Sequence, residues 1–351
     1  MINRRTQISD VAQLAGVSTA TVSAVVNNRI GQNIRVAPET AERVKKAVIK
    51  LGYLANPVAQ RLAQGSNKII GLFTYESIFP INQHNFYYPF LVGIEEEVEK
   101  QGYDLLLFTS IGSSSKSRSI FKGGVSRLNI TEGSVLLGLN EDKNDLVELL
   151  KQDYPFVFIG RRELLGGEIS YVAADYEQAT AQIVKYIAGF GHKKIAYFHS
   201  GLEQEALIDR YKGYLLGLKK VGLIYDKKID LILDPSDLSK DDLSKWLQNG
   251  VTAFIVESNN SAERLLAIAG QLNKSPIRDF SFAVLGDSLD TPQPSIDWTM
   301  FRIPRREMGA KAINMLIQIL TNEDPSLKPY QQTLACTFVP GTTVSPRPSE
   351  G

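Results

Sequence analysis

Gly16, with a short apolar period on either side of it, leaves the N-terminal stretch one compact solution. Val11, Ala12, Leu14 and Ala15 are spaced for one face of a helix over Ile8–Ala15, and glycine at 16 permits the left-handed turn that a β-carbon disfavours. A second helix is expected at once. Ser18 is a suitable N-cap, and Val22, Val25 and Val26 form a narrow i, i+3, i+4 stripe turned toward the first helix. A third helix follows, with Pro38 in its first turn, Ala41, Val44, Val48 and Leu51 as its buried stripe, and Gly52 as its stop. Three such helices make a minimal core.

The face opposite the valines carries Thr19, Ala20, Thr21, Ser23 and Ala24, all small. Such a face lets a helix backbone sit deep in a major groove while hydroxyls reach phosphates or base edges. A plain three-helix bundle with a polar surface is the alternative reading. Charge favours the first: residues 1–66 hold nine Lys/Arg against three Asp/Glu, leaving 30 basic and 35 acidic residues in the rest of the chain. That asymmetry suits a nucleic-acid-binding head on a body that need not touch nucleic acid.

Ile8-Ser9-Asp10-Val11-Ala12, Leu14-Ala15-Gly16-Val17-Ser18, Ala20-Thr21-Val22-Ser23 and Asn27 resemble the signature of the lactose-repressor (LacI/GalR) family of bacterial transcription regulators. The resemblance implies operator contacts from Ile8, Ser9, Ser18, Thr19, Ala20, Thr21, Ser23, Ala24 and Asn27. It continues through 51–53 and 56–63, which are similar to that family's hinge. There Asn56, Ala59 and Leu62 would meet the minor groove, Leu62 wedging between base steps once the segment folds on DNA beside its dimer mate. Packing of Leu62 under the neighbouring domain stays open as the other reading. Two departures bear on the operator sequence. Ala24 stands where the family usually has arginine, and the loop 28–35 is longer than usual, so that Arg29 or Arg35 could supply the missing contact.

Beyond 65–67, a short polar break, the pattern changes. At 351 residues and 43% hydrophobic content, the chain has enough apolar material for more than one core. Strands are expected at 69–75, 103–109, 134–138, 156–160, 194–199, 253–257 and 282–286. Helices are expected at 90–100, 145–152, 175–190, 209–221, 261–272 and 305–320. This alternation implies parallel sheets covered on both faces, in two lobes.

Ile70-Gly71-Leu72, Gly93-Ile94-Glu95, Gly102-Tyr103-Asp104, Gly191-His192-Lys193-Lys194, Arg210-Tyr211-Lys212-Gly213-Tyr214 and Glu307-Met308-Gly309 resemble the family's effector domain. The implied fold is α/β: an N-terminal all-α helix-turn-helix head plus a two-lobed periplasmic-binding-protein-like (type I) effector domain with doubly wound parallel sheets. The head would span 1–55, a hinge helix and linker 56–67, and the effector-binding and dimerisation domain 68–351. Its N-lobe would comprise about 68–163 and 293–323, its C-lobe about 164–292 and 324–345, with crossovers near 160–167, 289–297 and 322–328.

Ligands of such sheets bind beyond the carboxyl ends of the strands. Tyr75, Phe86 and Tyr87 are therefore candidates for stacking on an effector, with core or dimer-seam packing as the alternative. Arg210 is the foremost polar candidate, since the family pattern places an effector-facing arginine there and its donor fork suits vicinal hydroxyls or a carboxylate. Arg161 is a second, with a surface ion pair as the equal alternative. Ser258, Asn259 and Asp287 stand where the family carries sugar-chelating residues, without an exact match.

No phosphate-binding loop, dinucleotide glycine motif, zinc-protease motif or hydrolase elbow occurs, so an enzyme is not expected. One cysteine and three histidines without ligand-like spacing argue against a metal, and no cofactor is expected. No apolar run reaches the roughly 20 residues of a membrane span, and no secretory leader begins the chain, which points to the bacterial cytoplasm and, on operator, the nucleoid. The resemblance implies a ligand-responsive repressor of carbohydrate-utilisation genes. Its partners would be a pseudo-palindromic double-stranded operator, a sugar or sugar derivative as effector, and a second copy of the chain. A non-sugar effector, or none, is the alternative. The stripe Phe90, Leu91, Ile94 and Val98 is a candidate for the dimer seam, and the absence of a C-terminal heptad tail points to a dimer rather than a tetramer.

Overall fold

The structure, a computed structural model, describes residues 6–27, 36–53, 67–77, 81–109, 118–201, 203–287, 297–321 and 329–348, with 81–85 described in backbone only. The chain forms two compact units, 1–68 and 69–351.

The first unit contains α1 (Ile8–Ala15), α2 (Thr19–Val26) and α3 (Pro38–Leu51). A reciprocal Gln7/Asp10 capping box opens α1, and Gly16 closes it at φ 66°. Gly52 closes α3 in the same left-handed conformation, at φ 57°. Val11, Val22 and Val44 are fully buried where the three helices meet. Leu14 is 46% exposed rather than part of this core. At about 100° per residue it lies well away from the shared face of Val11, Ala12 and Ala15, and a two-turn helix buries only one face.

The second unit begins with β1 (Ile69–Thr74), α4 (Ile81–Lys100), β2 (Asp104–Phe108), a hairpin of β3 (Phe121–Lys122) and β4 (Val125–Ser126), and β5 (Gly133–Leu137). It continues through α5 (Lys143–Lys151), β6 (Phe156–Ile159), β7 (Tyr171–Ala174), α6 (Tyr176–Gly189), β8 (Ile195–His199), α7 (Glu205–Lys220), β9 (Asp230–Ile232) and α8 (Lys240–Gln248). Then come β10 (Ala253–Val256), α9 (Asn259–Gln271), β11 (Ser281–Val284), β12 (Thr299–Arg302), α10 (Arg305–Thr321), β13 (Gln331–Leu334) and β14 (Thr337–Val339).

Among the described residues the strands form two six-stranded sheets, in the orders β13-β7-β6-β5-β1-β2 and β14-β12-β11-β10-β8-β9. Within these two sheets pairing is parallel except for β12 with β14, while β3 and β4 pair antiparallel in their separate hairpin. Central strands such as β5, β6 and β10 are buried along their whole length, as sheets covered on both faces require. The first sheet belongs to one lobe with α4, α5 and α10, the second to the other lobe with α6 and α7. The helix-turn-helix head and the two-lobed parallel α/β body are as the sequence predicts.

The lobe boundaries are corrected. Tyr171–Ala174 lies in the first sheet, so the chain leaves that lobe at Asp175 rather than near 160–167. Thr299–Arg302 still belongs to the second sheet, which moves the return to 303–304, and the last crossing falls at 335–336, between β13 and β14. The cause is the brevity and polarity of these strands. Gln331–Leu334 is exposed at three of its four positions and offers no apolar run from which a strand could be read. Helix α4 also starts earlier than expected, with Pro89 inside it. The lost backbone bond is tolerated where Tyr87 and Phe90 on either side are buried.

Phe90, Ile94 and Val98 are buried within this chain, and α4 packs along α10, so these three belong to the lobe's own core, while Leu91 is half-buried at its margin. The two helices touch through Gly93 and Gly309. A β-carbon on Gly93 would overlap the Arg306 carbonyl oxygen, and one on Gly309 would overlap that of Phe90. None of the described helices is long and apolar enough to cross a membrane.

Candidate recognition helix and interlobe cavity

Helix α2 is set by its cap. Ser18 has extended backbone, and its Oγ accepts from the Thr21 amide at 3.1 Å while lying 2.9 Å from the Thr21 hydroxyl. At the other end Asn27 Nδ2 donates to Ser23 Oγ at 3.0 Å. Ser9, Ser18, Thr19 and Ala20 are exposed, and Ile8, Thr21, Ser23 and Asn27 are half-buried. Ala24 departs from the sequence reading. It is only 2% exposed, because a side chain ending at its β-carbon is easily covered by its neighbours, and it is not presented for contact in this structure. Arg35, Asn56, Ala59 and Leu62 lie outside the described residues. Ser18→Ala is expected to destabilise the head by about 1 kcal/mol, read as faster hydrogen exchange at the amides of Val22 and Val25 in the full chain.

The second site is a cavity of about 610 Å³ between the lobes. The second lobe contributes the loops that follow β8, β10 and β11 and the first turns of α7, while Phe86, Leu139 and Tyr176 close it from the other side and the crossover. It therefore lies beyond the carboxyl ends of parallel strands. Phe86, Arg210, Ser258, Asn259 and Asp287 line it.

Arg210 lies with its guanidinium carbon 4.2 Å from the Tyr176 ring centroid, and its Nε is buried without a hydrogen-bond partner among the described residues. Glu257, which also lines the cavity, is oriented by Ser200, whose amide and hydroxyl donate to Oε2 at 3.0 and 2.8 Å. Its Oε1 is buried with no partner among the described residues. The site thus holds a donor and an acceptor, each with unspent capacity, among apolar walls. Ser258 is partly spent as the N-cap of α9, accepting from the Ser261 amide at 3.2 Å. Asp287 is spent more fully: Arg305 Nη1 donates to its Oδ1 at 2.7 Å and the Ile303 amide to the same oxygen at 3.0 Å.

Tyr75, Tyr87 and Arg161 do not line the cavity. Tyr75 is 4% exposed, its ring stacked 6.4 Å from that of Phe158, and burial pushes its phenol far above the ordinary value. Tyr87 is buried too, and its hydroxyl donates to Glu76 Oε2 at 2.9 Å. Both aromatics take the core role left open by the sequence. Arg161 is engaged by Asp209, whose hydrogen bonds first and charge second hold its pKa above the ordinary arginine value. Arg305, Tyr176 and Glu257, which also line the cavity, were not among the expected site residues. The only signal for Arg305 was a basic pair opening a helix directly after Ile303-Pro304. No group of three or more potential metal ligands occurs among the described residues.

Residues 7–56 match the family described as bacterial regulatory proteins, lacI family, and residues 184–344 match the periplasmic binding protein-like domain. Catabolite control protein A of Staphylococcus xylosus is 31% identical over 326 residues, covering 90% of this chain and 93% of that protein. Among solved structures, the Lac repressor dimer bound to operator and the anti-inducer ONPF superposes with a TM-score of 0.67 at 20% identity, over 97% of this chain and 100% of that one. A complex of the transcriptional regulator CelR with cellobiose gives 0.61 at 23% identity, over 97% and 100%. At those identities the two structures speak for the fold. The chain belongs to the LacI family of bacterial regulatory proteins.

Proposed function

We propose that this DNA-binding regulator represses its target genes and that a neutral polyhydroxylated effector, a sugar or sugar derivative held between the lobes, alters its operator affinity. The observation that supports the reading is that Arg210 and Glu257 line the same cavity, with Arg210 Nε and Glu257 Oε1 both lacking a hydrogen-bond partner among the described residues. Vicinal hydroxyls accept from one and donate to the other, and the apolar faces of a sugar ring suit Phe86 and Tyr176. Asp287 is ion-paired with Arg305 through Oδ1, whereas Glu257 has no cation partner among the described residues, which favours Glu257 as the acceptor. The cellobiose held by CelR fits the same ligand class.

The effector changes operator affinity only through different affinities for the two lobe arrangements. Two recognition helices about 34 Å apart in a homodimer would read a pseudo-palindrome. The test is to select operators from random DNA with the full chain, then titrate the complex with mono- and disaccharides, sugar phosphates and nucleosides. A neutral sugar that shifts operator affinity supports the reading. A shift only with nucleosides or charged ligands, or with none, overturns it. Light scattering is expected to give a dimer, and a stable tetramer would contradict that assembly.

A further inference from the structure

The lobes meet along a second line of contact, beside the cavity, and that line is ionic. The first lobe supplies Lys143, the first residue of α5, and Arg161 and Arg162, which follow β6. The second lobe supplies Glu205 and Asp209, one turn apart on α7. Arg161 grips Asp209 as a fork, Nε to Oδ2 at 2.8 Å and Nη2 to Oδ1 at 2.6 Å. Lys143 Nζ donates to Glu205 Oε1 at 3.0 Å, the Glu163 amide donates to the same oxygen at 3.1 Å, and Arg162 Nη1 lies 3.9 Å from Oε2. Within the first lobe, Glu163 pairs with Arg161 and Glu141 lies 2.8 Å from Arg162 Nε.

This is more than decoration of a surface. The side chains of Arg161 and Asp209 are 17% and 18% exposed and that of Glu205 only 7%, so these charges have left much of their water and depend on one another. The planar two-point grip is the geometry in which arginine binds a carboxylate best. Lys143 occupies the first position of a helix, where a cation opposes the helix dipole, and Glu205 offsets that cost. Helix α7 divides its labour by face: Gln204, Leu207 and Arg210 line the cavity, while Glu205 and Asp209 are held by the other lobe. A shift of α7 away from the first lobe would break the ion pairs and carry Arg210 with it.

We propose that Arg161 with Asp209, and Lys143 with Glu205, form an interlobe latch that holds the lobes together before any effector arrives. The latch sets the resting position of α7, and with it the starting point from which a ligand shifts the lobe equilibrium. It concerns lobe geometry alone and stands whatever ligand occupies the cavity.

The test uses the full chain in a Cys336→Ser background, spin-labelled at Lys151→Cys in the first lobe and Lys228→Cys in the second, and diluted with unlabelled chain so that distances within one subunit dominate. Without ligand, Asp209→Asn and Lys143→Met are each expected to lengthen the interlabel distance and broaden its distribution. The reversal Arg161→Asp with Asp209→Arg is expected to restore both. Arg161→Lys, which keeps the charge but loses the fork, is expected to fall between wild type and Asp209→Asn, and it decides the matter should Asp209→Asn fail to fold. An unchanged distribution in a variant with wild-type circular dichroism overturns the latch. So does a widening that the charge reversal leaves in place.

Discussion

Alanine at Gly93 is expected to lower the unfolding free energy by about 3 kcal/mol, at the upper end of the cost of overpacking a core. The sign is not obvious from helix propensity. Glycine inside a helix costs about 1 kcal/mol relative to alanine, so on local grounds the substitution should stabilise α4. Packing overrides this, because the new methyl would meet backbone rather than a yielding side chain: it overlaps the Arg306 carbonyl oxygen and comes within 2.8 Å of the Arg306 carbonyl carbon. Separation of α4 and α10 would then disturb Phe90, Ile94, Met308 and Ile313, all buried in the shared core. Gly270 provides the contrast. It lies within α9 with no atom near its missing β-carbon, and Gly270→Ala is expected to raise stability by about 0.5–1 kcal/mol. Denaturant midpoints at one fixed protein concentration check both, and equal shifts in the same direction would refute the packing account.

Arg210→Met is expected to uncouple operator affinity from the effector. Hydrogen bonds to a charged group are worth about 1.5–3 kcal/mol. Losing them corresponds to roughly a tenfold to hundredfold weaker ligand affinity. Methionine keeps much of the apolar stem, so the Tyr176 ring stays covered and the loss reports the guanidinium rather than a collapsed wall. The measurement is a titration of effector against the operator complex for wild type and variant. Retention of the wild-type midpoint would remove Arg210 from the ligand site.

The head was legible because its signals are local. Gly16 must turn, Ser18 must cap, and the valines of α2 have one direction in which to hide. The central strands were legible for a related reason: runs such as Gly133–Leu137 and Ala253–Val256 are apolar at nearly every position because both faces of the sheet are covered. Edge and crossover strands lack that signature. Asp230–Ile232, Gln331–Leu334 and Thr337–Val339 owe their conformation to the neighbour they pair with, and the neighbour is distant in sequence. Helix α8 was missed likewise, since Lys240–Gln248 is mostly polar and its Ser239/Asp242 capping box precedes only one fully buried side chain, Leu243.

The cavity was half legible. Residue type shows that an arginine seeks an anion, not which one it finds. Sequence ranked Arg210 above Arg161 and left an ion pair open for Arg161, but could not name its partner: Asp209 is 48 residues away and takes Arg161 out of the site. Asp287 is neutralised by Arg305, 18 residues later.

The three passages between the lobes share a property with mechanical meaning. Only Asp175 separates β7 from α6, only Ile303 and Pro304 separate β12 from α10, and only Ala335 and Cys336 separate β13 from β14. Even fully stretched, the longer tethers span about 11 Å. Lobes joined by three such short straps cannot slide past or draw away from one another; they can only swing, as a book opens about its spine. Whatever the effector does, its message must leave the cavity as an angle.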